Sequence, residues 1–182
     1  MSAILLDVDG VLTDGGLFYD ASGGEGKTFS AQDSYGIIRG IRAGLVFGIV
    51  TGRSSPIVLR RASELGICHV WQGVNDKGAL LPEILALLRL EADEVLFMGD
   101  DMPDREIMLA AGVSVCPRNA APEIKRIAKY VTRHTGGYGA VREVIDRVLR
   151  TRKLLRRDGS LTGSVAACGQ AEYGSDSPEG GQ

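Results

Sequence analysis

Asp7 and Asp9 stand two residues apart at the end of the chain's first apolar run, with Gly10 directly behind them. Three later loops have the same character. Thr51-Gly52-Arg53 follows the apolar run Val46–Val50, Lys77 opens a helical stretch, and Gly99-Asp100-Asp101, with Asp104 close behind, follows Val95–Met98. Carboxylates gathered at one place repel one another and hold on to protons, and a hard divalent cation relieves that repulsion. Magnesium suits one or two carboxylates together with waters and phosphate oxygens. Lys77 and Thr51 then read as phosphate-binding groups, a compact cation and a hydroxyl donor. Asp7 in such a setting is a candidate nucleophile, because an aspartyl phosphate splits one difficult displacement into two easier ones. Each residue has a plainer reading. Asp7 and Thr51 also suit strand-end turns, and Lys77 suits an exposed Asn-Asp-Lys-Gly loop.

The elements between these loops decide whether they meet. Apolar runs of strand length at residues 3–8, Val46–Val50, His69–Trp71, Val95–Met98 and Val113–Cys116 alternate with segments of helical period. Ile37, Ile38, Ile41 and Leu45 share one helical face, as do Leu81, Ile84, Leu85 and Leu88, and Val141, Val144, Ile145, Val148 and Leu149 repeat the pattern. This alternation predicts an α/β fold, a parallel sheet with helices on both faces and right-handed crossovers. Open parallel sheets bind ligands at the carboxyl ends of their strands, where all four loops lie. Two segments break the pattern. Residues 15–30 have no room for a helix: Leu17-Phe18-Tyr19 and Lys27-Thr28-Phe29 flank a glycine-rich centre and predict a β-hairpin flap. Residues 158–182 are rich in Gly, Ser, Glu and Gln and predict a disordered tail behind a single domain of residues 1–157. The basic residues crowding positions 150–157 read as cations at a helix C-terminus.

The 182 residues, 44% hydrophobic, suffice for one domain with a core. A net charge of -2 gives no footprint for nucleic acid or an anionic membrane. Cys68, Cys116 and Cys168 have neither metal-like nor disulfide spacing, so a reducing cytoplasm is expected. The first apolar run is cut by Asp7 and Asp9, which predicts neither a signal peptide nor a membrane span.

Asp7-Val8-Asp9-Gly10-Val11-Leu12-Thr13-Asp14, Thr51-Gly52-Arg53, Lys77, and Gly99-Asp100-Asp101 with Asp104 resemble, in order, the four motifs of the haloacid dehalogenase superfamily of phosphohydrolases. Gln72-Gly73 and the run Gly136-Gly137-Tyr138-Gly139-Ala140-Val141-Arg142-Glu143 extend the likeness to the subfamily of 3-deoxy-D-manno-octulosonate 8-phosphate phosphatases, over residues 4–149. The resemblance implies a Rossmann-like three-layer sandwich with a hairpin flap and no cap domain, and a magnesium-dependent hydrolysis of a sugar-acid phosphate. It implies Asp7 as nucleophile and metal ligand, Asp9 as acid and base with its backbone carbonyl toward the metal, and Asp100 as the remaining ligand. Asp9 and Lys77 would also touch the substrate. Arg53 and Arg61 are candidates for the sugar carboxylate by bidentate pairing. Ser30, Ala31, Gln32, Asp33 and Ser34 match the family's sugar-binding loop, except that glycine usually stands where this chain has Ser34. Asp101 suits a role behind Lys77 or an ordered water, while Asp104, after Pro103, suits either the site or the start of a helix. A homotetramer with the flaps in its interface is implied, with the glycine-rich run reaching toward an adjoining site.

Two other readings stay open. One is a phosphatase for a nine-carbon, sialic-type acid 9-phosphate, which Ser34 favours and Arg53 opposes. The other is a non-catalytic domain or a receiver, whose acceptor Asp follows a middle strand instead of the first.

Overall fold

The computed structural model describes residues 1–156 and 158–162. Its centre is β1 (Ala3–Leu6), all four residues of which are buried. Ile4 and Leu6 enter one apolar cluster while Ala3 and Leu5 enter another on the opposite face. The pleat of a single strand thus divides the core in two. Around it lie β4 (Val46–Val50), β5 (His69–Trp71), β6 (Val95–Met98), β7 (Val113–Cys116) and β8 (Tyr130–Val131), in the order β5-β4-β1-β6-β7-β8, all parallel.

Helices α1 (Ala31–Arg42), α2 (Pro56–Leu65) and α6 (Ala140–Thr151) contribute to the first cluster through Ile37, Val58, Ala62, Val141 and Ile145. Helices α3 (Lys77–Leu88), α4 (Arg105–Ala110) and α5 (Pro122–Ile127) contribute Ile84, Ile107 and Ile124 to the second. This is the three-layer α/β sandwich expected. Between Asp9 and Thr51 the chain makes only the hairpin, α1 and β4, so among the described residues no separate cap covers the sheet edge. No described helix is long and apolar enough to cross a membrane.

The hairpin differs in detail from expectation. β2 (Phe18–Tyr19) pairs with β3 (Glu25–Gly26), which ends directly before Lys27. The reason is Asp20, whose Oδ1 accepts from the N–H groups of Ser22 and Gly24 at 2.8 and 2.7 Å and closes the turn early. The edge strand β8, of two residues, was too short to carry a periodic signal. At the other end, residues 158–162 do not hang free. Leu155 bridges Leu161, and Arg39 Nη2 donates to the Gly159 carbonyl at 2.5 Å. The rest of the stretch expected to be disordered lies outside the described residues.

Asp33 also has a different part from the sugar contact expected. It is buried, and its two carboxylate oxygens accept from the N–H groups of Gly139 at 3.0 Å and Arg142 at 2.7 Å. These are otherwise unpaired donors at the start of α6, so Asp33 caps one helix from the first turn of another. Burial pushes its pKa up, although these bonds pull the other way. Removing it leaves buried donors without acceptors, a loss of about 1–3 kcal/mol. Asp33→Ala is therefore expected to lower Tm by roughly 3–10 °C with little specific effect on KM, measured by calorimetry and steady-state kinetics. An unchanged Tm with a raised KM would restore the substrate-binding role.

Candidate active site

Register sets the site. Leu6 pairs with Met98 across β1 and β6, and the Asp7 N–H donates to the Met98 carbonyl at 3.0 Å. Asp7 and the Gly99-Asp100 turn therefore emerge side by side, where the strand order runs one way to β4 and β5 and the other way to β6, β7 and β8. Beyond β1 the chain makes a wide turn over Val8–Leu12, held by Thr13. The Thr13 hydroxyl donates to the Val8 carbonyl at 3.3 Å and accepts from Gly10 N–H at 3.4 Å.

Lys77 comes from the opposite face as the first residue of α3, whose N-cap Asp76 accepts from Ala79 N–H at 2.9 Å. Its side chain is only 3% exposed, and Nζ donates to Asp7 Oδ1 at 2.7 Å and Asp104 Oδ1 at 2.6 Å. The second Asp104 oxygen accepts from the N–H groups of Asp100 at 2.9 Å and Asp101 at 3.4 Å. Asp104 thus belongs to the site, and it holds both the lysine and the turn that presents Asp100. Asp101 does not hold Lys77. It is exposed, and its Oδ1 accepts from Met102 N–H at 2.8 Å.

Ligand oxygens of Asp7, Asp100 and Asp104 lie within 4.8 Å of one another. Burial, with Asp104 beside it, raises Asp7 to about 7 against the pull of Lys77. Burial also raises Asp100 to about 7, assisted by Asp7, Asp104 and Asp101. Burial pulls Lys77 down, yet Asp7 and Asp104 outweigh it and its pKa is raised. One ammonium does not neutralise three carboxylates, and both oxygens of Asp104 are already bonded. The donor set left over, Asp7 and Asp100, fits a hard divalent cation.

Two glycines keep this space open. Gly10 has φ +95°, and a Cβ there would meet the Asp100 carboxylate. Gly136 lies so close behind the turn that a Cβ would meet the Gly10 carbonyl oxygen, and Gly137 N–H donates to Val11 O at 3.0 Å. The glycine-rich run therefore packs on this chain's own Gly10–Asp14 segment, directly behind Asp9.

On the other side of the site, Asp9 Oδ1 is 2.5 Å from Lys27 Nζ, and Arg53 Nε is 3.8 Å from Oδ2. Arg53 also donates to Tyr19 Oη at 2.8 Å and to Glu25 at 3.3 Å, so it leans on the flap. Thr51 is buried, with Oγ1 accepting from Arg53 N–H at 3.4 Å. Ser30 serves as N-cap of α1. Ala31 and Gln32 are exposed in its first turn. Ser34 Oγ donates to Ser30 O at 2.6 Å and accepts from Arg61 Nη2. Arg61 lies over the Phe29 ring and pairs with Glu64 at 2.8 Å. Lys27 and Glu25 escaped the sequence reading, since charges in a hairpin ordinarily face water. The one available hint was a lysine beginning the apolar half of the flap.

The haloacid dehalogenase-like hydrolase family model matches residues 61–145. The 3-deoxy-D-manno-octulosonate 8-phosphate phosphatase KdsC of Yersinia pestis is 41% identical over 146 residues, 80% of this chain and 78% of that protein. The chain belongs to that phosphatase family. The family's Escherichia coli K12 member is 40% identical over the same shares. The Moraxella catarrhalis enzyme, solved with magnesium, phosphate and KDO, superposes with a TM-score of 0.81 at 39% identity, covering 82% of this chain and 86% of that one. A Yersinia pestis structure reaches 0.84 at 38% identity over 91% and 88%. The chain is accordingly a phosphoric monoester hydrolase.

The raised carboxyl groups carry a test. A carboxyl group whose folded pKa exceeds its unfolded value supports the fold at low pH and withdraws that support as pH rises through the folded pKa. Chelator-treated protein is expected to lose thermal stability between about pH 4 and 7, from the ordinary carboxyl range up to the raised values of Asp7 and Asp100. Magnesium should remove most of that slope, because it binds the ionised pair. A pH profile of Tm that is unaffected by magnesium would count against Asp7 and Asp100 as the cation's ligands.

Proposed function

We propose that this chain hydrolyses 3-deoxy-D-manno-octulosonate 8-phosphate to the free sugar acid and inorganic phosphate through a phosphorylated Asp7. The observation that carries this reading is the Asp7 carboxylate pinned by Lys77 at 2.7 Å, with Asp9 two residues on and facing the flap. Asp7 and Asp100, with the backbone carbonyl of Asp9, would hold magnesium, which supplies the positive charge that the carboxylates and a phosphoryl group require together.

Asp7 attacks phosphorus as the bond from phosphorus to the sugar oxygen breaks, and Asp9 delivers its proton to that oxygen. Asp9 then takes a proton from a water that attacks the aspartyl phosphate, which frees Asp7 and inorganic phosphate. Lys77 and Thr51 bind the phosphoryl oxygens. The sugar end is assigned to a cleft of about 330 Å³ bordered by Lys27, Phe29, Ile57, Arg60, Arg61 and Glu64. Arg61 supports that assignment, since its buried Nε has no hydrogen-bond partner among the described residues. Arg53, 3.8 Å from Asp9 and partly exposed, is assigned to the substrate carboxylate. Ser30, Gln32 and Ser34, at the start of α1, are assigned to the sugar hydroxyls, an assignment supported by Ser34, which accepts from Arg61.

The flap leaves Leu17, Phe18 and Tyr19 more than half exposed. Such a patch favours a partner, and a second copy of the chain would close a site that has no cap among the described residues. We assign a homotetramer with the flaps in its interface, working in the cytoplasm.

Phosphate release from a panel of eight- and nine-carbon sugar-acid phosphates, with magnesium, tests the substrate. The eight-carbon ester is expected to lead, and preference for a nine-carbon ester would transfer the assignment to it. Asp7→Asn is expected to release no phosphate from any ester while remaining folded, and surviving turnover excludes the covalent route. Arg53→Ala should cost roughly ten- to a hundredfold in kcat/KM on the sugar acid and much less on p-nitrophenyl phosphate. For assembly, light scattering should find four subunits and smaller species for Phe18→Asp. An active wild-type monomer would sink the tetramer.

A further inference from the structure

Asp9 has two tasks in the reaction proposed above, and both demand that its carboxylate stay put while the proton moves. The group that restrains the carboxylate comes from the flap. Lys27 follows β3 directly, and its side chain is 1% exposed, with Nζ 2.5 Å from Asp9 Oδ1 and 3.3 Å from Glu25 Oε1. Glu25 in turn accepts from Arg53 Nη2 at 3.3 Å, and Arg53 accompanies the other Asp9 oxygen at 3.8 Å. Lysine is rarely buried without a counter-charge. Here the counter-charges are Asp9 and the flap's own Glu25, so the ammonium ties the flap to the acid.

We infer that Lys27 is the positioning residue of Asp9: it fixes one carboxylate oxygen and leaves the second to pass the proton between the leaving oxygen, the carboxylate and the incoming water. The inference rests on the proposed phosphatase reading and adds a device to it. Placement of the acid becomes a property of the flap, and a displaced flap leaves Asp7 and Lys77 intact but Asp9 unaligned. Misplacing a proton-transfer group by about an ångström costs on the order of a hundredfold in rate.

Two small esters without a sugar or a carboxylate separate this role from substrate binding: ethyl phosphate, whose alkoxide leaves poorly, and p-nitrophenyl phosphate, whose phenolate leaves with little help from an acid. The ratio of their kcat/KM values reports proton delivery in the first chemical step. Lys27→Met is expected to lower kcat/KM on ethyl phosphate by roughly ten- to a hundredfold and on p-nitrophenyl phosphate by about threefold or less. Lys27→Arg, which keeps a cation on the flap, should recover most of the ratio. Thermal unfolding is followed in parallel. If Lys27→Met does not fold, Glu25→Gln loosens the tether while keeping the ammonium, and it should move the ratio the same way by about threefold. Equal losses on both esters, a change in KM alone, or an unchanged ratio in the folded variants would overturn the assignment. Wild-type protein that hydrolyses neither ester would instead bring down the phosphatase reading, and this inference with it.

Discussion

A single buried ammonium has to serve more negative charge than it can neutralise. Lys77 bridges Asp7 and Asp104 from the first turn of α3, and Asp100 lies within 4.8 Å of both acids. Left alone, such a cluster is a cost to the fold, and the two acids respond by holding protons near neutrality. The surrounding architecture is what makes the cost bearable. Two central parallel strands deliver Asp7 and Asp100 in register, a helix start delivers the lysine, and Asp104 ties the lysine and the fourth-strand turn together through its two oxygens. Local stability has been given up at the one place where a cation and a phosphoryl group would restore the balance.

The flap divides its side chains by direction. Glu25 and Lys27 turn inward to Asp9 and Arg53, whereas Leu17 and Phe18 turn outward to solvent, and Tyr19, though largely exposed, meets Arg53 with its hydroxyl. With four paired residues, a two-stranded ribbon of this size has little stability of its own. Charged contacts to the site on one side and apolar contacts available on the other are what give it a place.

Much of this was legible in the sequence because it rests on local periodicity. Continuous apolar strands ending in Asp7, Thr51 and Asp100 can belong only to a buried parallel sheet, and such a sheet brings its carboxyl ends together. What escaped depends on distance along the chain or on small offsets. Asp33 looks like part of a sugar loop, but its acceptors serve donors 106 and 109 residues away. Asp101 and Asp104 differ by less than one turn, and only the fold decides which of them meets Lys77. Lys27 was hidden because burial of a flap lysine requires Asp9 to lie beneath it. β8, with two residues, left no pattern at all.

The contact of Gly136 with the Gly10 carbonyl bears on biosynthesis. The turn that carries Asp7 and Asp9 is made first, but its back wall is made only after the last strand of the sheet, β8, has been synthesised. Asp33 likewise waits for Gly139 and Arg142 before its carboxylate is used. A nascent chain therefore holds all of its charged site residues well before it holds the wall that shapes them. The site is therefore complete only when the segment that leads into α6 has joined residues made more than a hundred positions earlier.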